Sequence, residues 1–129
     1  MPKTKILIIE DDQSLVKIIN EALDAEKFKT VLALEVDEGL DKAILENPDL
    51  IVLDILLPGQ SGFTCLRNLK NNRKTKDIPV IILSNLGQAE EIREALKLGA
   101  VDYLVKADFT IDEVIKKILK HSRKKNAWR

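Results

Sequence analysis

Cysteine is almost absent from the sequence, because Cys65 is the only one among 129 residues. A lone cysteine excludes a disulfide framework and a cysteine metal cluster within one chain. It is typical of proteins that work in a reducing compartment, so we expect a cytoplasmic location.

Net charge is also absent, since 21 lysines and arginines balance 21 aspartates and glutamates. This balance argues against a general binder of nucleic acid or membranes. The exception is the stretch 116–129, which carries seven basic residues and no acidic one. Trp128 is its only aromatic residue. We therefore interpret the stretch as a solvated helix end favoured by the helix dipole, not as a nucleic-acid arm.

Long hydrophobic runs are missing too. The first apolar run, residues 6–9, is too short for a signal peptide and meets acidic residues at once, and no segment is long enough to span a bilayer. With 129 residues and 45% hydrophobic content, the chain is long enough for one domain with a substantial core. We predict that this domain occupies residues 1–122 and that 123–129 form a basic tail or the start of a linker.

Short apolar runs and amphipathic stretches alternate along the chain. The patterns predict strands at 5–9, 29–35, 50–54, 78–83 and 101–105, and helices at 13–26, 37–46, 63–70, 88–98 and 111–122. Five such repeats without a long linker predict a parallel sheet with right-handed crossovers and helices on both faces. On three of the helices we expect Ile18, Ile44 and Leu96 among the inward side chains.

Polar residues follow four of the predicted strands directly. They are Glu10 and Asp11, Asp54, Ser84 and Lys106. Parallel strands place their carboxyl ends on one rim, which is where open α/β sheets bind ligands. Three carboxylates from two strands repel each other unless a cation lies among them, and hard oxygen ligands suit Mg²⁺.

The ligand that these groups jointly favour is a phosphoryl group. A magnesium ion and Lys106 would neutralise its oxygens, and Ser84 would supply a donor. Asp54 is placed for in-line attack as a carboxylate nucleophile, and the product would be an aspartyl phosphate. Simpler interpretations stay open: Asp54 caps the following turn, Ser84 is a strand-end hydroxyl, and Tyr103 is a half-buried aromatic residue.

Four motifs in order resemble those of the receiver domain of two-component response regulators, the family that includes the bacterial chemotaxis regulator. They are the acidic cluster 8–12, Asp54 with Pro58 and Gly62 at the family's offsets, Ser84 after the fourth strand, and the segment 99–106. The resemblance covers nearly the whole chain. It implies a flavodoxin-like (βα)5 three-layer sandwich whose five-stranded parallel sheet has the order 2-1-3-4-5.

The resemblance also implies a role for each residue at the strand ends. Asp54 would be the phosphoacceptor, and Lys106 would pair with Asp54 and then with the phosphoryl group. Asp11 and Asp54 would bind Mg²⁺ directly. Glu10 would hold the metal through water, and the backbone carbonyl of Leu56 would complete the protein's ligands.

A switch and a set of partners follow from the same resemblance. Ser84 would bond a phosphoryl oxygen, and Tyr103 would turn inward as Ser84 moves. The face formed by the fourth helix, fifth strand and fifth helix would then bind a downstream protein or a second copy of the chain. The phosphoryl donor would be a sensor histidine kinase or a phosphotransfer protein. We expect no membrane partner and no direct nucleic-acid contact by this domain.

One departure from the family pattern bears on how Lys106 is presented, and two further positions bear on the lifetime of the phosphoryl group. Ala107 follows Lys106 where the family has a proline with a cis bond, and a non-proline cis bond costs about 2.5 to 4 kcal/mol. Either that strain is kept or Lys106 is presented differently. Leu56 and Leu86, each two residues beyond a site residue, cannot orient a hydrolytic water, so we predict slow loss of the phosphoryl group.

The alternatives belong to other classes of protein. A Mg²⁺-dependent small-molecule phosphatase would use the same kind of carboxylate, but it needs a second acid two residues later, where this chain has Leu56. A nucleotide- or flavin-binding module would need a glycine-rich loop after the first strand. A pure interaction domain would have a broken acidic set. We therefore expect a signalling domain that promotes only its own phosphoryl transfer and dephosphorylation, not an enzyme.

Overall fold

Five β-strands and five α-helices alternate along residues 3–122, which are the residues that the computed structural model describes. The strands are β1 (Lys5–Ile9), β2 (Lys29–Ala33), β3 (Leu50–Leu53), β4 (Val80–Ser84) and β5 (Asp102–Val105). The helices are α1 (Gln13–Ala25), α2 (Val36–Glu46), α3 (Gly62–Asn71), α4 (Ala89–Leu98) and α5 (Ile111–His121). The predicted alternation is confirmed, and a short 3-10 helix, Lys106–Asp108, follows β5.

The strands form one parallel sheet in the order β2-β1-β3-β4-β5. This is the flavodoxin-like order that the family resemblance implies. Helices α1 and α5 pack on one face, and α2, α3 and α4 pack on the other. The central strands are therefore buried on both sides, which explains why they are nearly continuous apolar runs.

Alternate residues of each strand feed two separate apolar layers. In β1, Leu7 and Ile9 join the layer beneath α2, α3 and α4. Ile6 and Ile8 join the layer beneath α1 and α5. All four are fully buried, and burying such a side chain contributes roughly 1.5–3 kcal/mol. The two layers fix the sheet, and through it the positions of the strand ends.

Local signals set where the helices begin and end. Asp12 accepts a hydrogen bond from the Leu15 N–H and caps the start of α1. Thr110 and Glu113 form a reciprocal capping box at the start of α5. Gly99 ends α4 with a φ of 116°, a left-handed conformation that glycine adopts without strain.

Three inward side chains were predicted wrongly. The exposed fractions of Ile18, Ile44 and Leu96 are 47%, 37% and 46%. In each case a sequence neighbour is fully buried instead: Ile19, Ala43 and Ala95. Successive helical residues are about 100° apart, so at these three positions the buried neighbour faces the core and the second apolar side chain lies at the edge of the buried stripe. The periodicity predicted the correct buried face of each helix but overestimated its width.

Strand ends shifted as well. β2 ends at Ala33 instead of residue 35, and β4 begins at Val80 instead of residue 78. The described residues contain no cis peptide bond, so the Lys106–Ala107 bond is trans and Lys106 is presented without that strain.

None of the described helices is long and apolar enough to cross a membrane. The predicted tail at 123–129, with most of the basic stretch and Trp128, lies outside the described residues.

Candidate functional site

The carboxyl ends of neighbouring strands bring the predicted polar residues to one rim. Ile9 of β1 is in register with Leu53 of β3, so the next residues, Glu10 and Asp54, also lie side by side. The Asp54 N–H donates to the Ile9 carbonyl oxygen at 3.1 Å. Since adjacent strands are about 4.8 Å apart, the register alone places two carboxylates close together.

Three strand-end side chains each make the same type of local hydrogen bond. Each accepts the backbone N–H two residues further on, in the manner of an Asx or Ser/Thr turn. The pairs are Asp12 N to Glu10 Oε2 at 3.1 Å, Leu56 N to Asp54 Oδ1 at 3.0 Å, and Leu86 N to Ser84 Oγ at 3.3 Å. The repeated turn holds the three side chains above the sheet in similar orientations.

Lys106 bridges the two buried carboxylates. Its Nζ lies 2.7 Å from Glu10 Oε1 and 2.9 Å from Asp54 Oδ2. Burial opposes its charge, but the hydrogen bonds to Glu10 and Asp54 outweigh burial and raise the pKa of Lys106 above its ordinary value. The family resemblance implied the pair between Lys106 and Asp54; the shorter pair between Lys106 and Glu10 was not predicted.

The acidic cluster is compact enough for a divalent ion. Glu10, Asp11 and Asp54 each offer a carboxylate oxygen, and these atoms lie within 4.8 Å of one another. Glu10 and Asp54 are buried and Asp11 is exposed, so the cluster opens to solvent on one side. Burial raises the pKa of Glu10 to about 7, despite its bonds to Lys106 and to the Asp12 N–H. This donor set fits Mg²⁺, which prefers carboxylate oxygens and keeps several waters.

Ser84 and Tyr103 meet through the backbone of Leu86. Ser84 is fully buried, and its Oγ accepts the Leu86 N–H. The Tyr103 hydroxyl donates to the Leu86 carbonyl oxygen at 2.6 Å. Tyr103 is only 8% exposed, and burial raises its pKa. Tyr103 therefore already has the inward position, and it is more deeply buried than the half-buried alternative.

Gly62 permits the tight approach of α3 to the end of β3. A Cβ at this position would lie 2.3 Å from the Asp54 carbonyl oxygen and 2.5 Å from the Ile55 Cα. The Gly62 N–H donates to the Ile55 carbonyl oxygen at 2.8 Å. The glycine is therefore a steric requirement of the loop that carries Asp54. In the same loop the Leu56 side chain is 51% exposed and lies beside the rim, not in the core.

The strand order and the rim together define a flavodoxin-like α/β domain with an acidic, lysine-containing site. Residues 6–119 match the response regulator receiver domain. The chain belongs to this family: it is a receiver domain of two-component response regulators.

Individual curated relatives support the same family assignment. The DNA-binding dual master transcriptional regulator RpaA of Synechocystis is 34% identical over 114 residues, which are 88% of this chain and 47% of that protein. The phosphate regulon transcriptional regulatory protein PhoB of Escherichia coli is 34% identical over 114 residues, which are 88% of this chain and 49% of that protein. The chain thus spans about half the length of these curated relatives.

A solved structure supports the same family assignment. The receiver domain of the Francisella response regulator 1452 has a TM-score of 0.81 and 34% identity, and the match covers 90% of this chain and 93% of that one. These likenesses do not support the phosphatase alternative. A receiver domain is a signalling domain, not an enzyme in the ordinary sense.

Proposed function

We propose that Asp54 is the phosphoacceptor of this domain. The observation that carries the proposal is the position of its carboxylate, buried at the end of a central strand, with Oδ2 bonded to Lys106 and Glu10 alongside. A turn cap would need only the bond from Asp54 Oδ1 to the Leu56 N–H. That simpler role does not explain why the second oxygen, Oδ2, is paired with the partly buried Lys106.

In the proposed reaction, an Asp54 oxygen attacks the phosphorus of a phosphorylated donor. The new O–P bond forms as the bond between phosphorus and the donor atom breaks, and an aspartyl phosphate results. The Lys106 ammonium group then also pairs with the phosphoryl oxygens, and the Ser84 hydroxyl donates a hydrogen bond to one of them. These contacts counter the charge that collects on the transferred group.

Glu10, Asp11 and Asp54, with the backbone carbonyl of Leu56, are the groups that would hold Mg²⁺. Receiver domains use this ion in an acidic pocket. When bound, Mg²⁺ neutralises charge on the phosphoryl oxygens and on the carboxylates. Burial of Glu10 raises the cost of its own ionised form, which favours any cation that can enter beside it.

The output of the domain would depend on Ser84 and Tyr103. A phosphoryl group adds about −1.5 to −2 charges near Ser84. The backbone N–H of Leu86 is hydrogen-bonded to Ser84, and the Leu86 carbonyl is hydrogen-bonded to Tyr103. A shift of Ser84 is therefore transmitted to the loop that holds Tyr103. We expect the inward Tyr103 to be stabilised, and the α4-β5-α5 face to bind a downstream protein or a second copy of the chain.

The donor in this scheme is a sensor histidine kinase or a phosphotransfer protein. We place the domain in the cytoplasm, where such a donor is phosphorylated from ATP and where the single free thiol, Cys65, stays reduced. The chemistry of the domain would be limited to its own phosphoryl transfer and dephosphorylation. We also propose that the domain ends at residue 122 and that a basic tail or linker follows it.

The test is phosphorylation from a small acyl phosphate with and without Mg²⁺, followed by mass measurement on the intact protein. We expect one added phosphoryl group that requires Mg²⁺, and none on the Asp54→Asn variant. Asp41→Asn is the matched control, because Asp41 is an exposed aspartate on α2. Equal phosphorylation of the Asp54→Asn variant would reject the proposal. Partner binding that still depends on phosphorylation after Tyr103→Ala would reject the switch alone.

A further inference from the structure

The β2 strand forms one free edge of the sheet. Lys29 and Ala33 face β1, because the Lys29 N–H donates to the Thr4 carbonyl and the Ala33 carbonyl accepts from the Glu10 N–H. Backbone groups of successive strand residues point to opposite sides of a strand within the sheet. The backbone groups of Thr30, Leu32 and the adjoining Leu34 therefore point away from the sheet.

Two α2 side chains reach this open edge. Glu38 Oε1 accepts the Leu34 N–H at 2.7 Å. The Lys42 ammonium group donates to the Leu32 carbonyl oxygen. The two side chains also pair with each other, since Lys42 Nζ lies 3.1 Å from Glu38 Oε2. One acceptor and one donor, joined by an ion pair, thus cover the Leu34 N–H and the Leu32 carbonyl.

This arrangement imitates one residue of a neighbouring strand. In a parallel ladder, one residue bonds two groups of the facing strand. Its carbonyl accepts the N–H of one facing residue, and its N–H donates to the carbonyl of the facing residue two positions earlier. Glu38 and Lys42 supply the same two bonds around Ala33. Their side chains are 39% and 37% exposed, and an exposed pair of this kind contributes little to stability. The useful property of the pair is the backbone that it covers.

We propose that Glu38 and Lys42 close the edge of β2 against strand addition, and that the surface beneath them fits the β2 strand of a second copy of this chain. An uncovered edge is a template for another strand. Residues 30–34, Thr-Val-Leu-Ala-Leu, carry no charge and no proline, which is the composition that adds strands readily. Two identical edges related by a twofold axis satisfy each other.

This inference does not depend on phosphorylation of Asp54. It also concerns a different surface from the α4-β5-α5 face, because β2 and β5 are the opposite edges of the sheet. The two proposals can therefore fail separately.

The first test removes the pair with Glu38→Ala/Lys42→Ala and measures molar mass by light scattering over a range of concentrations. We expect the variant to form dimers at concentrations where the unchanged protein does not. Lys74→Ala/Asp77→Ala is the control, because it removes one exposed cation and one exposed anion from a loop after α3. A variant with the same mass as the unchanged protein at every concentration would overturn the inference.

The second test asks whether the dimer uses β2. Adding Thr30→Pro deletes an outward N–H on an edge strand, where proline is tolerated. Thr30 Oγ1 is buried without a hydrogen-bond partner in the described part of the chain, so its loss leaves no group unpaired. We expect the triple variant to return to the monomer. A dimer that persists would show that another surface is used, and the inference would be wrong.

A third measurement needs no association and no double variant. In the unchanged protein we expect slow hydrogen exchange at the Leu34 amide, because the Glu38 carboxylate holds it. Glu38→Ala should speed exchange at Leu34 and leave Lys29, whose N–H donates to Thr4, unchanged. Exchange of the Leu34 amide at the unprotected rate in the unchanged protein would overturn the inference.

Discussion

Lys106 Nζ lies 2.9 Å from Asp54 Oδ2, and the same nitrogen lies 2.7 Å from Glu10 Oε1. One ammonium group therefore pairs with carboxyl groups from two neighbouring strands. The two acids are almost fully buried and the lysine side chain is 17% exposed. The stability of the unphosphorylated domain and the readiness of its site thus depend on the same contact.

Replacing Lys106 by methionine should destabilise the domain by about 1–3 kcal/mol in the absence of divalent cations, a range that allows for partial solvent screening. The buried Asp54 carboxylate would lose its counter-charge, and Glu10, whose pKa burial already raises, would lose its hydrogen bond to Lys106. Urea unfolding at neutral pH measures the loss. Lys117→Met is the control, because Lys117 contacts Asp102 at 3.6 Å with 35% of its side chain exposed. The prediction is wrong if the two variants lose the same stability.

Tyr103→Phe should cost about 0.5–1.5 kcal/mol of stability, since it removes one hydrogen bond, to the Leu86 carbonyl. Phosphorylation of Asp54 should proceed to the same extent, because the hydrogen bond that is lost goes to the Leu86 carbonyl and not to the reacting carboxylate. Urea unfolding and intact-protein mass would be measured on the same preparation. A loss of phosphorylation would place Tyr103 in the reaction itself and contradict this account.

The phosphorylated protein should lose its phosphoryl group slowly, because the apolar side chains of Leu56 and Leu86 cannot orient water. Leu56→Asn should shorten the half-life, since Leu56 is half exposed beside the rim and a carboxamide there can bond a water. The decay of the phosphorylated mass over time gives the half-life. Leu45→Asn, on a leucine that is 81% exposed on α2, controls for the added amide. A half-life of seconds in the unchanged protein would count against the prediction.

Cys65 should be inert in the folded protein. It is fully buried, and burial raises its pKa to about 12. At pH 8 only about one thiol in 10⁴ would be ionised, and the thiolate is the reactive form. An aromatic disulfide reagent should label Cys65 only as fast as the domain unfolds, and at once in denaturant. Rapid labelling of the folded protein at pH 8 would contradict the buried position.

Much of the fold was predictable because two simple patterns were clear. Apolar runs that end in acids marked β1 and β3, and helical periodicity between them required parallel strands. Ile18, Ile44 and Leu96 were misplaced because periodicity fixes the direction of a buried stripe but not its width. The ends of β2 and β4 depend on pairing with neighbours, which a local pattern does not contain.

The grouping of polar residues in the candidate site was also predictable, because the carboxyl ends of parallel strands lie on one rim of the sheet. The approach of Lys106 to Glu10 was missed because the reach of a long side chain depends on packing around it. The Leu86 carbonyl that accepts the Tyr103 hydroxyl was missed because a backbone acceptor leaves no mark in the amino-acid sequence. The pair of Glu38 and Lys42 on the β2 edge escaped for that reason too.

The central claim is that Asp54 carries the phosphoryl group, and trapping it chemically tests this most directly. Borohydride reduces an aspartyl phosphate to homoserine, which peptide mass spectrometry then locates. After treatment with a small acyl phosphate and Mg²⁺, we expect homoserine at position 54 alone, and none when Mg²⁺ is removed. Homoserine at Asp11 or Asp12, or none at all in a protein shown to be folded, would contradict the account.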